Sequence, residues 1–324
     1  MTSITGHSEL DAEPSGDEAS TGRLGDRIFS GLATGSGAVV VLLILAVGFF
    51  LISQAAPALA DNKANFFTDR VWQVTAGSLS FGIPDLLYVT VISSLFAMAF
   101  AVPIAIAVAL FLTQYAPRRL ATPFGYLVDL LAAVPSIVYG LWGLFILAPH
   151  VGPIQGFLGD AFGWIPLFDP PASSGTVFLA SVVLAIMILP IVTALSREIF
   201  AQTPLTHKEG ALALGATKWE MIRTAVLPYG TSGVVSAAML GLGRALGETI
   251  AVTIIVSTNP GAFRFSLFSG GETFASKIAN NASEFNSPKQ AGAFIAAGLV
   301  LFILTFVVNA AARIIIERRK AFTE

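Results

Sequence analysis

The chain of 324 residues contains no cysteine. That excludes disulfides, thiolate nucleophiles and cysteine-held metals, and it leaves the redox compartment open. Histidine is nearly absent: His7, His150 and His207 stand far apart, without the spacing of a metal site, and read as solvated or locally satisfied rings. Charge is scarce too, at 12% of residues where soluble domains carry about 25%. No G-x-x-x-x-G-K-[ST] phosphate loop occurs, and no Ser/His/Asp cluster or catalytic carboxylate pair stands out. These absences point away from an enzyme and from any cofactor. What the chain does have is 55% hydrophobic residues and a mean hydropathy of +0.77, a composition suited to lipid.

Residues 1–30 are polar and acidic, with Glu9, Asp11, Glu13, Asp17 and Glu18 among Ser, Thr and Gly, and read as a disordered tail. The first apolar run, 31–56, is followed by Ala58-Leu59-Ala60, which resembles a signal-peptidase site. A signal core spans about 7–15 residues, and this run is longer and lies behind an acidic tail. A retained transmembrane helix is therefore expected. Five further runs, 85–112, 125–147, 176–199, 233–256 and 290–316, are each long enough to cross about 30 Å of hydrocarbon. Pro103, Pro135 and Pro190 fall inside three of them and are expected to kink the helices without ending them. The expected fold is all-α and polytopic. It has six transmembrane helices, five of them forming a core over 85–316, and a basic tail at 317–324.

The cations sort by loop. Arg23, Arg27, Arg118, Arg119, Arg197, Lys208, Lys218, Arg223, Arg313, Arg318, Arg319 and Lys320 fall on one side, and Lys63, Arg70, Arg264, Lys277 and Lys289 on the other. Twelve against five puts both termini in the cytoplasm by the positive-inside rule. The outside loops, near 57–84, 148–175 and 257–289, are rich in Gly, Pro and Phe, and Trp72 and Trp164 could anchor short re-entrant pieces there.

The remaining cation, Arg244, lies inside an apolar stretch, four residues before Glu248. A charge at membrane depth costs roughly 2.5–3.5 kcal/mol on insertion scales and marks a functional position by default. A guanidinium offers a rigid fork of donors that fits two oxygens of a tetrahedral oxyanion. Glu248, at i+4, is expected on the same helix face, where it could hold the guanidinium while partly offsetting its charge. The bland alternative is a structural ion pair, supported by Gly243 and Gly247, whose spacing lets helices approach closely. Ser136, beside Pro135, could line the same path or bond its own helix backbone. Asp129 and Glu198 are expected near the membrane interfaces.

The segment 203–230 is the most patterned part outside the spans. Thr206 and Glu209 have capping-box spacing, Gly215 could end the short helix that follows, and a second helix from Lys218 should stop at Leu227-Pro228. Glu209-Gly210-Ala211, Gly215 and Leu227-Pro228 resemble the EAA loop of ABC-importer permeases, the segment that docks into the cytoplasmic ATPase. Gly210 stands where the first Ala is usual, and Ala225 where Ile is usual. Two longer stretches resemble the phosphate-specific ABC permeases, PstC type. They are Ala133-Val134-Pro135-Ser136-Ile137-Val138-Tyr139-Gly140-Leu141-Trp142-Gly143 and Gly243-Arg244-Ala245-Leu246-Gly247-Glu248-Thr249; Ile250-Ala251-Val252-Thr253 after the latter, and the outside loop before span two, look more like the PstC type than the PstA type.

The resemblance implies a type I ABC importer permease in the bacterial plasma (inner) membrane, with no ATPase site of its own. It implies a phosphate path through Arg244, Glu248, Thr249 and Ser136, and an ATPase contact through Glu209, Gly210, Ala211, Gly215, Leu227 and Pro228. The implied partners are a second permease (PstA type), a dimeric ATPase (PstB type), an extracytoplasmic phosphate-binding protein (PstS type) and membrane lipid, with no nucleic acid. The residues alone leave open a permease for molybdate or sulfate, and an ion-gradient secondary transporter.

Overall fold

The computed structural model describes residues 22–75, 78–169, 175–257, 265–285 and 287–320. Among them six helices are long and apolar enough to cross a membrane: Gly25–Ala60, Pro84–Tyr115, Ser136–Phe162, Val177–Ala201, Lys218–Gly247 and Pro288–Ile314. The number matches the sequence reading, while two of the spans begin and end elsewhere. Most of the acidic tail lies outside the described residues, and the first helix, α1 (Gly22–Ala60), starts inside the stretch assigned to that tail. At the other end the last helix runs to Lys320, so the basic tail is helical at its start.

The chain divides into two units, 1–50 and 51–324. The described part of the first is a helical rod whose apolar side chains, among them Leu42, Leu45 and Phe49, are exposed around its circumference. An all-round apolar helix of this length suits lipid.

The second unit opens with the end of α1, followed by an antiparallel hairpin of β1 (Trp72–Thr75) and β2 (Ser78–Phe81), in which Trp72 faces Phe81. An all-α reading does not anticipate this hairpin. Asn62 secures it: its Nδ2 donates to Phe81 O at 2.7 Å and its Oδ1 accepts from Phe81 N at 3.0 Å, replacing a missing strand partner. Trp72 forms no re-entrant piece, because its ring packs on Phe81 and on Phe294 of the last helix. Trp164 is 80% exposed.

Helix α2 (Pro84–Leu110) ends in a π-helical turn, Phe111–Tyr115. Ala97, Ala101, Ala105 and Ala109 recur every fourth residue on one face and are all fully buried. Such a stripe brings backbones close, and here it faces α6 (Val177–Ala201), the most buried of the spans. Leu179, Leu184, Met187 and Ile188 of α6 fill the middle of the core. Pro103 and Pro190 sit inside their helices as expected.

Pro135 behaves differently, and the expected span 125–147 does not exist. An amphipathic helix, α3 (Arg118–Ala132), stops there, and Pro135, with ψ 140°, caps the start of α4 (Ser136–Trp142). A proline restricts the residue before it and cannot supply the next helical N–H, so the apolar run breaks at Val134-Pro135. The span proper continues through a π turn, Gly143–Leu147, into α5 (Ala148–Phe162), which takes up residues read as an outside loop.

Between spans, α7 (Leu205–Ala213) starts one residue before Thr206. Pro204 precedes it and no side chain caps it, so the Thr206–Glu209 capping box does not form. Proline's fixed φ already sets the helix entry. Gly215 does end that turn, at φ +85°, a conformation that favours glycine. The capping box forms instead at the next helix, α8 (Lys218–Met221), where Glu220 N donates to Thr217 Oγ1 and Thr217 N to Glu220 Oε2. Leu227-Pro228 does not stop this helix. A π turn, Ile222–Val226, leads straight into α9 (Leu227–Gly247), with Pro228 in its first turn, where a missing N–H breaks no α bond. Helices α10 (Ile250–Ile255), α11 (Phe274–Asn280) and α12 (Pro288–Lys320) complete the chain.

Candidate functional site

The expected span 233–256 is broken where its charges lie. Helix α9 ends at Gly247, and Glu248 is extended at φ −67° and ψ 122° before α10 begins. The i, i+4 relation between Arg244 and Glu248 is therefore not realised on one continuous helix. Glu248 is buried, and its Oε1 accepts from Ala251 N at 3.2 Å. The carboxylate thus occupies the N-terminal end of α10, where unsatisfied N–H groups and the helix dipole favour negative charge. Arg244, half-buried in the last turn of α9, makes no ion pair or hydrogen bond among the described residues. A cation there complements the helix dipole, and its donors remain available to an anion.

The stretch 133–143 meets the short helix that directly follows the stretch 243–249. Helix α4 packs along α10, and a Cβ on Gly140 would lie 2.9 Å from Ala251 Cα. Only a glycine permits that approach. Tyr139 is buried one residue earlier, and its hydroxyl donates to Leu131 O at 2.9 Å. Ser136 is half-buried in the first turn of α4, and Thr249, also half-buried, donates from Oγ1 to Gly247 O at 3.1 Å. Arg244, Tyr139, Glu248 and Thr249 thus cluster around the α9–α10 break, with Ser136 one helical turn below Tyr139.

The loop expected to meet an ATPase has two faces. Ala211 and Leu227 pack on a core of Ala109, Leu110, Phe200, Met221, Ile222 and Val226, which joins the loop to α2 and α6. Glu209, Gly210, Gly215 and Pro228 are exposed. So are Leu214, at 91%, and Trp219, both large and apolar without cover. Burial lowers the Lys208 ammonium pKa below its ordinary value.

The sequence reading missed one interaction near this region. Arg197 Nη2 donates to both carboxylate oxygens of Asp129, at 3.0 and 2.9 Å, tying α3 to α6. Gly125 makes room, since a Cβ there would lie 2.2 Å from Arg197 Nη1. Each partner was legible as a charge near a span end, but their separation of 68 residues hid the pairing.

Residues 101–321 match the family of binding-protein-dependent transport system inner membrane components. The chain is 55% identical over 298 residues to the phosphate transport system permease protein PstC 2 of Mycobacterium tuberculosis, covering 90% of this chain and 92% of that protein. It is 56% identical over 295 residues to PstC of Mycobacterium leprae, with the same coverage. In fold it is similar to a bacterial ABC transporter that imports alginate, at TM-score 0.52 and 16% identity over 90% of this chain and 99% of that one. With six spanning helices and a helix-turn-helix loop between the fourth and fifth, the chain belongs to the family of binding-protein-dependent transport system inner membrane components, as a multi-pass permease.

Proposed function

We infer that the chain is the PstC-type transmembrane subunit of an ATP-driven importer of inorganic phosphate. The observation that carries this reading is Arg244, a guanidinium with no counter-ion among the described residues, at a helix break inside a membrane span, in a chain more than half identical to phosphate permeases. A tetrahedral oxyanion can take two of its donors at once. With Glu248 engaged by α10, the guanidinium is free to make that contact. Half-burial keeps the contact weak enough for the ion to leave. Thr249 and Ser136 line the same passage.

The energy comes from a partner. Glu209, Gly210, Ala211, Gly215, Leu227 and Pro228 form the docking loop for a dimeric ATPase of PstB type, with Leu214 and Trp219 as its apolar contacts. A PstA-type permease completes the path, and a PstS-type protein delivers phosphate from outside. The twelve-to-five distribution of cations supports a cytoplasmic position for both termini. Retention of α1 is supported by its packing: Ala55 and Ala58 are buried with Ala293 and Ala296 of α12, and Gly292 leaves space for Ala58. The intact mass of the purified chain should therefore include residues before Ala60, and a chain beginning at Asp61 would refute retention.

The deciding experiment is uptake of labelled phosphate by the four-component complex in proteoliposomes, with and without internal ATP. Sulfate and molybdate serve as competitors. ATP-dependent uptake that neither competitor reduces is expected. Uptake of sulfate or molybdate in place of phosphate would assign the chain to another oxyanion, and uptake driven by an ion gradient without ATP would place it in another class.

A further inference from the structure

A cavity of about 660 Å³ opens at the far end of α10 from Glu248. Its polar lining is Thr253, Ser257, Glu272, Lys277, Asn280 and Asn281. Lys277 Nζ donates to Glu272 Oε2 at 2.7 Å, with both side chains about 15% exposed, and Asn280 Nδ2 donates to Glu272 Oε1 at 3.1 Å. Thr253 Oγ1 and Asn281 Oδ1 are buried with no hydrogen-bond partner among the described residues. A desolvated polar atom without a partner is unfavourable, and this cavity sets two of them beside an ammonium and a carboxylate.

We propose that this cavity is an entry site for hydrogen phosphate, with Lys277 as its cation and Glu272 as the residue that turns away fully deprotonated oxyanions. The proposal rests on the phosphate-import reading and on the orientation that places 257–289 outside. The chemistry follows from the donor set. An ionised carboxylate only accepts, whereas an ammonium only donates. A ligand that satisfies both must bring a negative oxygen for Lys277 and an O–H for Glu272. Hydrogen phosphate has both, and the unpartnered hydroxyl of Thr253 can donate to a further oxygen. Sulfate at neutral pH carries no proton, so its oxygens would meet the Glu272 carboxylate acceptor to acceptor. Rejection built from such a clash is the ordinary route to specificity between isosteric ions.

The position fits a path of several weak steps. The six residues of α10 span about 9 Å, with Glu248 and Thr249 at one end and this cavity at the other. An anion entering beside Lys277 therefore reaches the region of Arg244 by moving along one short helix.

The absence of native cysteine allows a clean test. Ala148→Cys places a single thiol of this chain on the cavity wall, and its alkylation is followed in the full complex in nanodiscs. Inorganic phosphate at ten times its dissociation constant should slow labelling about tenfold by occupancy. Arsenate, which also carries a proton, should protect similarly, and sulfate should not. Lys277→Met should abolish protection, and Glu272→Gln, which can donate, should let sulfate protect. The paired variant Lys277→Met with Glu272→Gln removes the ion pair while keeping its volume, and ATPase activity of the complex checks its fold. Protection by phosphate that persists in the paired variant would overturn the assignment to Lys277. Unprotected labelling at phosphate concentrations that saturate uptake would overturn the site, and equal protection of the wild type by sulfate would overturn the role of Glu272. Wild-type uptake in the same preparation separates these outcomes from failure of the phosphate-import reading itself.

Discussion

Replacing Arg244 with lysine separates charge from geometry. Both residues carry one positive charge on a long stem, but lysine presents a point ammonium and cannot make two parallel hydrogen bonds to one oxyanion. A hydrogen bond to a charged group contributes about 1.5–3 kcal/mol. Arg244 is only half-buried and so partly screened, which puts the loss at the lower end, about tenfold in the transport rate at 1.4 kcal/mol per decade. The substitution should leave assembly intact, because Arg244 has no partner among the described residues to lose. Phosphate uptake by the reconstituted complex is the assay, with the amount of chain in the membrane measured alongside. Uptake by Arg244→Lys at the wild-type rate and abundance would refute the bidentate contact. Glu248→Gln is the companion. Its amide oxygen can still accept from Ala251 N, so assembly should survive, whereas Glu248→Ala removes a cap worth about 0.5–2 kcal/mol and should lower chain abundance. Equal abundance of the two variants would show that the carboxylate does not hold the α9–α10 break.

Gly140→Ala forces a Cβ to within 2.9 Å of Ala251 Cα, a backbone contact that cannot rotate away, at a cost of about 1–3 kcal/mol; uptake per chain should fall, and unchanged uptake would mean α4 and α10 can separate freely. Gly125→Ala should displace the Arg197 guanidinium and so mimic Asp129→Asn. The double variant should then lose no more thermal stability than the worse single one, and additive losses would show that the two act on different interactions. Leu214→Glu changes a side chain with nothing to pack against, so stability of the permease should move by no more than about 0.5 kcal/mol while the ATPase fails to co-purify; normal co-purification would remove Leu214 from the docking surface.

Hydropathy made the six spans legible because each needs a long apolar run, and length survives any local irregularity. What it did not reveal were the breaks. Val134-Pro135 is apolar on both sides, and a window that sums hydropathy passes over it, although the chemistry of proline stops α3 there. The break at Glu248 carries no such mark: Gly247 permits a helix end without requiring one, and an i, i+4 charge pair favours continuity. Capping was misplaced for a related reason. Both Thr206–Glu209 and Thr217–Glu220 have the right spacing, and Pro204 decides between them by starting α7 early. The candidate site was legible as residue types. That Glu248 faces α10 and leaves Arg244 alone was not, because it depends on the break.

The break also gives the mechanism its geometry. The fifth span runs without interruption from Lys218 to Gly247, thirty residues or about 45 Å. Its lower end carries α8 and the exposed Trp219, and its upper end carries Arg244. One rod therefore joins the surface proposed to meet the ATPase to the cation proposed to meet phosphate. At the base, Met221, Ile222 and Val226 pack on Phe200 of α6 and on Ala109 and Leu110 of α2, which provide a fulcrum. At the top the rod is severed from α10, which stays with α4 through the Gly140–Ala251 contact. A push on α8 would thus tilt Arg244 relative to Glu248, Thr249 and the wall behind them, because the extended residue between α9 and α10 absorbs the change. A continuous helix would carry both charges together and alter nothing between them. In the proposed coupling, the loss of the i, i+4 pair would let one stroke at the loop change the surroundings of one cation in the membrane.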